Sequence, residues 1–172
     1  MASDENVAIV TGSARGIGES TAVMLAERGF NITVNYASSA DEAKDTVAQC
    51  EAKGAEVLLV QGDIASDADC RRIVDETMAR WGRLDVLINN AGMGYVRSLE
   101  QAEESDIQKI LDINYTGVTR CIKAVMPHMR KARAGHVINI SSVGGLVGQP
   151  FNEIYCGAKF AVEGLTEVMA SY

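Results

Sequence analysis

Short apolar runs rich in branched residues recur along the chain, and each is followed by a longer stretch whose apolar positions return every three or four residues. The runs fall at 7–11, 32–35, 56–60, 84–88 and 136–140, and their length and composition predict strands. The intervening segments at 17–28, 40–53, 67–80 and about 105–131, and a last one from 152 towards the C-terminus, carry the helical period. Gly29, Gly54 and Gly82 sit where three of these helices should stop, and Ser66 or Asp67 is placed to cap the start of the third. The strands read as continuous apolar runs rather than alternating ones, as burial on both faces requires. Strands alternating with helices imply βαβ units and a parallel sheet covered on both sides. With right-handed crossovers and a reversal after the third strand, the expected fold is an α/β doubly wound, Rossmann-type sheet of order 3-2-1-4-5.

Composition narrows the function classes. The chain has 172 residues, 47% hydrophobic and 23% charged, which suits one domain over 1–172 with a sizeable core. There are two prolines and no linker-like or repetitive tract. A net charge of −7 and scattered basic residues argue against a nucleic-acid partner. The local cluster Arg130, Lys131 and Arg133 reads as a helix C-terminus complementing its dipole. No apolar stretch approaches the roughly 20 residues of a membrane span, and no secretory leader is visible, so a cytoplasmic protein without a membrane partner is expected. Cys50, Cys70, Cys121 and Cys156 show no CxxC or histidine-partner spacing, which suggests neither a metal site nor a disulfide framework, only reduced thiols. His128 and His136 read as ordinary surface or helix-end residues.

The first strand runs straight into TGSARGIG, Thr11 to Gly18. Gly12, Gly16 and Gly18 allow a tight turn, close approach to a pyrophosphate and packing of the helix on the sheet, and the helix N-terminus offers free N–H groups to an anion. Dinucleotide binding follows, with contacts expected from Gly12, Ser13, Arg15, Gly16, Ile17 and Gly18. The second strand ends in Val34-Asn-Tyr-Ala-Ser-Ser39, with no carboxylate before Asp41 to hold a ribose 2′-OH. Arg15, with Ser38 and Ser39, can meet a 2′-phosphate instead, so NADP(H) is expected over NAD(H), and Asn35 and Tyr36 join the contact set. Asp63, before Ile64, ends the third strand, where it either accepts from an adenine amino group or caps the next helix. Asn89-Asn90-Ala91-Gly92 ends the fourth strand, where small residues admit a cofactor and the asparagines tie strand ends together. Met93, Gly94 and Tyr95 either line a substrate mouth or merely connect elements.

Tyr155 and Lys159 are four residues apart, so on a helix they share a face. An ammonium beside a phenol favours the phenolate, which makes the pair a proton donor and acceptor near neutral pH. Ser142 lies 13 residues upstream of Tyr155, at a strand end from which its hydroxyl is expected to meet the phenol. Cys156 should face away from this pair.

Six segments in order, TGSARGIG, GDI, NNAG, LDINYTG, ISSVGG and YCGAK, resemble the short-chain dehydrogenase/reductase family across essentially the whole chain. The resemblance implies a carbonyl–alcohol oxidoreductase of the carbonyl reductase type. It implies a tetrad of Asn114, Ser142, Tyr155 and Lys159: tyrosine moves the proton, serine polarises the substrate oxygen, lysine holds the nicotinamide ribose and asparagine holds a water. It places Gly12, Arg15, Ile17 and Gly18 at the cofactor turn, Asp63 and Ile64 at adenine, and Asn90, Ala91 and Gly92 at the ribose. It also implies a homo-tetramer or dimer through the helices near 105–131 and 152–172. The alternatives are an NAD-dependent alcohol, polyol or steroid dehydrogenase, and a non-catalytic nucleotide-binding protein of the same fold. Members of the family are longer, so the chain is expected to be a fragment ending before strands six and seven, with a natural truncation as the alternative.

Overall fold

In the computed structural model, which describes residues 5–171, the strands are β1 (Val7–Val10), β2 (Asn31–Tyr36), β3 (Val57–Gln61), β4 (Val86–Asn89) and β5 (His136–Asn139). The helices are α1 (Gly16–Glu27), α2 (Ala40–Glu51), α3 (Asp67–Trp81), α4 (Glu104–Leu111), α5 (Gly117–Ala132) and α6 (Glu153–Met169). The sheet is parallel throughout, in the expected order β3-β2-β1-β4-β5. Ile9 stands between Thr33 of β2 and Leu87 of β4 in the register.

Strand periodicity divides the core into two layers. Val7 and Ile9 point to one face, where they join Leu87, Ile73 of α3, Val125 of α5 and Val162 of α6. Ala8 and Val10 point to the other, against Ile32, Val34, Ala22 of α1 and Ala43 of α2. Every β1 side chain is at most 1% exposed, which is why the run carries no polar alternation. Ser66 caps α3, its hydroxyl accepting from the Asp69 N–H at 3.3 Å, so of the two candidates the serine takes the role. Arg130 and Lys131 lie in the last turn of α5, as expected for cations at a helix C-terminus.

One difference from the sequence reading matters. The single helix expected over 105–131 is interrupted by a wide π turn, Asp112–Thr116, in which the Gly117 N–H reaches five residues back to the Asp112 carbonyl. An apolar period cannot report such a turn, because the rod continues on either side of it. At the sheet margin, β5 pairs only with β4 among the described residues, and Ile138 is 44% exposed.

Truncating Ile9 to alanine, in the middle of the central strand, should lower the unfolding free energy by about 2–5 kcal/mol in urea denaturation. A loss below about 1 kcal/mol would show that this strand is not the centre of the core.

Candidate active site

The β1–α1 turn is held by side chains as much as by glycine. Gly12 takes φ +62°, and a Cβ there would stand 2.8 Å from the Ala91 Cα. At Gly18 a Cβ would collide with the Asn90 amide nitrogen and lie 2.5 Å from the Gly12 carbonyl. Hydrogen at these two positions therefore lets α1 and the end of β4 close on the turn. Asn90 donates through Nδ2 to the Thr11 and Gly12 carbonyls, both at 3.0 Å. Thr11 Oγ1 accepts in return from the Asn90 and Ala91 N–H groups at 3.0 and 3.1 Å. Asn35 plays the matching part on the β2 side: Oδ1 accepts from the Gly12 N–H at 3.2 Å, and Nδ2 donates to the Val60 and Gly62 carbonyls.

These staples open a cleft of about 490 Å³ at the carboxyl ends of the strands. Gly12, Arg15, Ile17, Asn35, Tyr36, Ser38, Asp63, Ile64, Asn90, Ala91 and Gly92, all expected from sequence, line it together. Gly16 and Gly18 shape the turn without lining the cleft. Ser13 does not line the cleft. Its side chain is fully buried, with the hydroxyl donating to the Val10 carbonyl at 2.8 Å and accepting from the Asn35 N–H, because it closes the gap between β1 and β2. Asp63 does not cap α3; its carboxylate accepts from the Ala65 N–H at 2.9 Å in a tight turn on the cleft wall.

A second junction forms where the chain after β4 meets the π turn. Asn114 is wholly buried and grips Met93 on both backbone groups, Oδ1 accepting from its N–H at 3.2 Å and Nδ2 donating to its carbonyl at 2.9 Å. The same Nδ2 reaches the Ile110 carbonyl at 3.1 Å. A Cβ on Gly92 would lie 2.9 Å from Asn114 Oδ1 and 3.7 Å from Lys159 Nζ, which brings the three residues into one cluster. Tyr95 ties the same loop to α4, its hydroxyl donating to Asp106 at 3.1 Å, and Met93 lines the cleft.

On α6, Lys159 Nζ lies 5.9 Å from the centre of the Tyr155 ring, one helical turn apart as the spacing requires. Lys159 is 5% exposed and donates to the Ile140 carbonyl at 2.8 Å; burial pushes its pKa below the ordinary lysine value. Ser142 Oγ accepts from the Gly144 N–H at 3.1 Å and so caps the short turn after β5. Among the described residues no hydrogen bond joins it to the phenol; a Cβ at Gly144 would lie 3.4 Å from Tyr155 Cε1. Ser141 is turned inward, its hydroxyl buried without a partner beneath Gly145. Cys156 is buried beneath Gly144, away from the phenol face. The structure thus gathers Asn114 and Lys159 beside Gly92 at one end of a cleft walled by glycine and asparagine, with the Tyr155 ring next to Lys159. Sequence reasoning missed Thr11 and Gly117; their one signal is a small residue where two backbones converge.

The family model described as short chain dehydrogenase matches the chain over residues 6–172. The chain belongs to the short chain dehydrogenase family. Among curated relatives of this short chain dehydrogenase, 3-oxoacyl-[acyl-carrier-protein] reductase of Staphylococcus epidermidis is 39% identical over 163 residues, covering 95% of the chain and 67% of the relative. The enzyme of the same name from a Synechocystis species is 41% identical over 164 residues, 95% of the chain and 66% of the relative. 3-Ketodihydrosphingosine reductase of Bacteroides thetaiotaomicron is 38% identical over 95% of the chain and 57% of its own length. The chain therefore spans about two thirds, or less, of the curated relatives it matches. A crystal structure of a putative short-chain alcohol dehydrogenase from Sinorhizobium meliloti superposes with TM-score 0.94 at 30% identity, over 99% of this chain and 67% of that one.

Gly18→Ala tests the closure of the turn. Overpacking against Asn90 and the Gly12 carbonyl should cost about 1–3 kcal/mol in thermal or urea unfolding, with weaker dinucleotide binding in a fluorescence titration. An alanine variant of unchanged stability and affinity would show that the turn has slack.

Proposed function

We propose that this short chain dehydrogenase interconverts a carbonyl and a secondary alcohol using NADP(H). The observation that carries the reading is the placing of Tyr155 and Lys159 on one face of α6, with Lys159 beside Gly92 and Asn114 at the end of the cleft. The cleft suits a dinucleotide on its own chemistry. Cβ atoms at Gly12 or Gly18 would obstruct the turn where a pyrophosphate would be held against the start of α1, and no carboxylate ends β2. Gly12 and Ile17 would hold the pyrophosphate end, Asp63 and Ile64 the adenine, and Asn90, Gly92 and Lys159 the nicotinamide ribose. Arg15 and Ser38 at the cleft margin suit a 2′-phosphate, which favours NADP(H) over NAD(H).

When bound, the nicotinamide supplies or accepts the hydride; the protein supplies the proton chemistry. In reduction the Tyr155 hydroxyl gives its proton to the carbonyl oxygen as negative charge develops there. Ser142, whose oxygen already accepts from Gly144, keeps its own hydrogen for the substrate oxygen. Asn114 acts here by fixing the backbone of Met93, which lines the cleft. The substrate is a ketone with an apolar chain. Val143, Leu146, Val147 and Phe151, between 58 and 69% exposed, follow β5 and precede the helix of Tyr155. All three of the curated relatives named above are reductases of 3-oxo or 3-keto compounds. Self-association into a dimer or tetramer through α5 and α6 accords with Phe160 and Val168, which α6 leaves 46% and 62% exposed.

Two substitutions separate the parts of this reading. Tyr155→Phe removes the general acid and should lower kcat by about 10² or more while NADPH affinity stays close to that of the parent. Near-parental turnover would overturn the assignment. Arg15→Ala should raise the KM for NADPH about 10- to 100-fold, the worth of one charge-assisted hydrogen bond, and leave that for NADH little changed. A parent enzyme that prefers NADH would remove the role given to Arg15.

A further inference from the structure

Cys70, in the first turn of α3, and Cys121, on α5, are 51 residues apart in sequence, yet their sulfurs stand 3.6 Å apart. The Cys121 thiol is directed at Cys70 Sγ, and the Cys70 thiol donates to the Ile64 carbonyl at 3.3 Å. Both side chains are buried, at 1% and 3% exposure. Cys50 is buried in the opposite layer and Cys156 beneath Gly144, so among the described residues this is the one cysteine–cysteine contact. The contact reaches the nucleotide cleft through Ile64, which forms part of its wall. α5 presses on the same segment: a Cβ at Gly117 would lie 2.7 Å from Ile64 Cδ1, and Arg120 Nη1 donates to the Ala65 carbonyl at 2.6 Å.

We propose that Cys70 and Cys121 are a dithiol that closes reversibly to a disulfide under peroxide, linking α3 to α5 and weakening dinucleotide binding through Ile64. The consequence for affinity rests on the cofactor reading given above; the bond itself does not. Cys70 is the attacking group. The hydrogen bond from Cys121, with the Arg120 guanidinium nearby, holds its pKa below the ordinary thiol value, and it sits at a helix N-terminus. Cys121, donating that bond and buried, is held well above the ordinary value and stays a thiol. The Cys70 thiolate attacks one peroxide oxygen, the O–O bond breaks, and a sulfenic acid forms as the departing hydroxide takes up a proton to become water. The Cys121 sulfur then attacks Cys70 Sγ, the S–OH bond breaks, and the hydroxide leaves with the Cys121 proton as a second water. Two thiols lose two electrons and two hydrogens, and one peroxide becomes two waters. A disulfide length of about 2.05 Å requires the sulfurs to close by roughly 1.5 Å. Oxidation removes the S–H that Ile64 accepts from, and that closure falls on the 64–65 segment that α5 grips.

The whole protein is treated with hydrogen peroxide or with dithiothreitol, alkylated, and digested without reductant, and the same samples are titrated with NADPH. The expected map contains a Cys70–Cys121 peptide two hydrogens lighter than its separate thiol peptides, abolished by dithiothreitol. NADPH affinity should fall about three- to tenfold on oxidation, the worth of one hydrogen bond, and recover on reduction. Cys121→Ser and Cys70→Ser should each bind NADPH alike before and after peroxide. Free thiols at both positions after peroxide, or a cross-link that leaves affinity unchanged, overturns the proposal. A reduced protein that binds no NADPH would overturn the cofactor reading and the affinity step together, while the peptide map reads the cross-link on its own.

Discussion

A parallel sheet leaves its backbone groups unpaired where the strands end, and a cleft at those ends exists only if something other than the ladder satisfies them. Here two asparagines do so. Asn90 spans the Thr11 and Gly12 carbonyls, and Asn35 joins the Gly12 N–H to the Val60 and Gly62 carbonyls. β1, β2, β3 and β4 are therefore fastened to one another beyond the last rung of their pairing. A ligand can approach the backbone there because hydrogen alone occupies the position of a side chain at Gly12 and Gly18. The desolvation of the buried Asn35 amide is offset by its three hydrogen bonds, and that of the half-buried Asn90 amide by its two.

The second junction applies the same device to a loop. Asn114 offers one acceptor and one donor to a single residue, Met93, and a further donation to Ile110, four positions back in its own helix. The π turn at Asp112–Thr116 lies at this point of the rod and brings the amide inward. Gly92 then fits against Asn114 and Lys159 with no room for a methyl group near Oδ1. Three elements distant in sequence, the loop after β4, the π turn and α6, thus meet at one point.

Much of this was legible beforehand because the signals are local. Strand order follows from continuous apolar runs separated by helical periods, and the glycine turn from its place between a strand and a helix. Tyr155 and Lys159 share a face by spacing alone. What escaped depends on packing across the sheet. Ser13 reads as a ligand contact in a glycine-rich turn, yet the approach of β2 buries its hydroxyl. The break in the long helix leaves no trace in its apolar period. Cys70 and Cys121 lack any spacing rule, since their contact is made by the packing of α3 on α5.

Lys159 connects the fold to the chemistry. An ammonium has three donors, and among the described residues one of them is used, on the Ile140 carbonyl. Burial at 5% exposure makes that arrangement unfavourable, and the depressed pKa records it. Replacing the lysine by an apolar side chain would relieve the strain and would remove both the anchor at the end of β5 and the cation over the Tyr155 ring. On the function proposed above, hydroxyl groups of a bound ligand would complete the hydrogen bonds of this under-bonded ammonium beside the glycine-lined cleft.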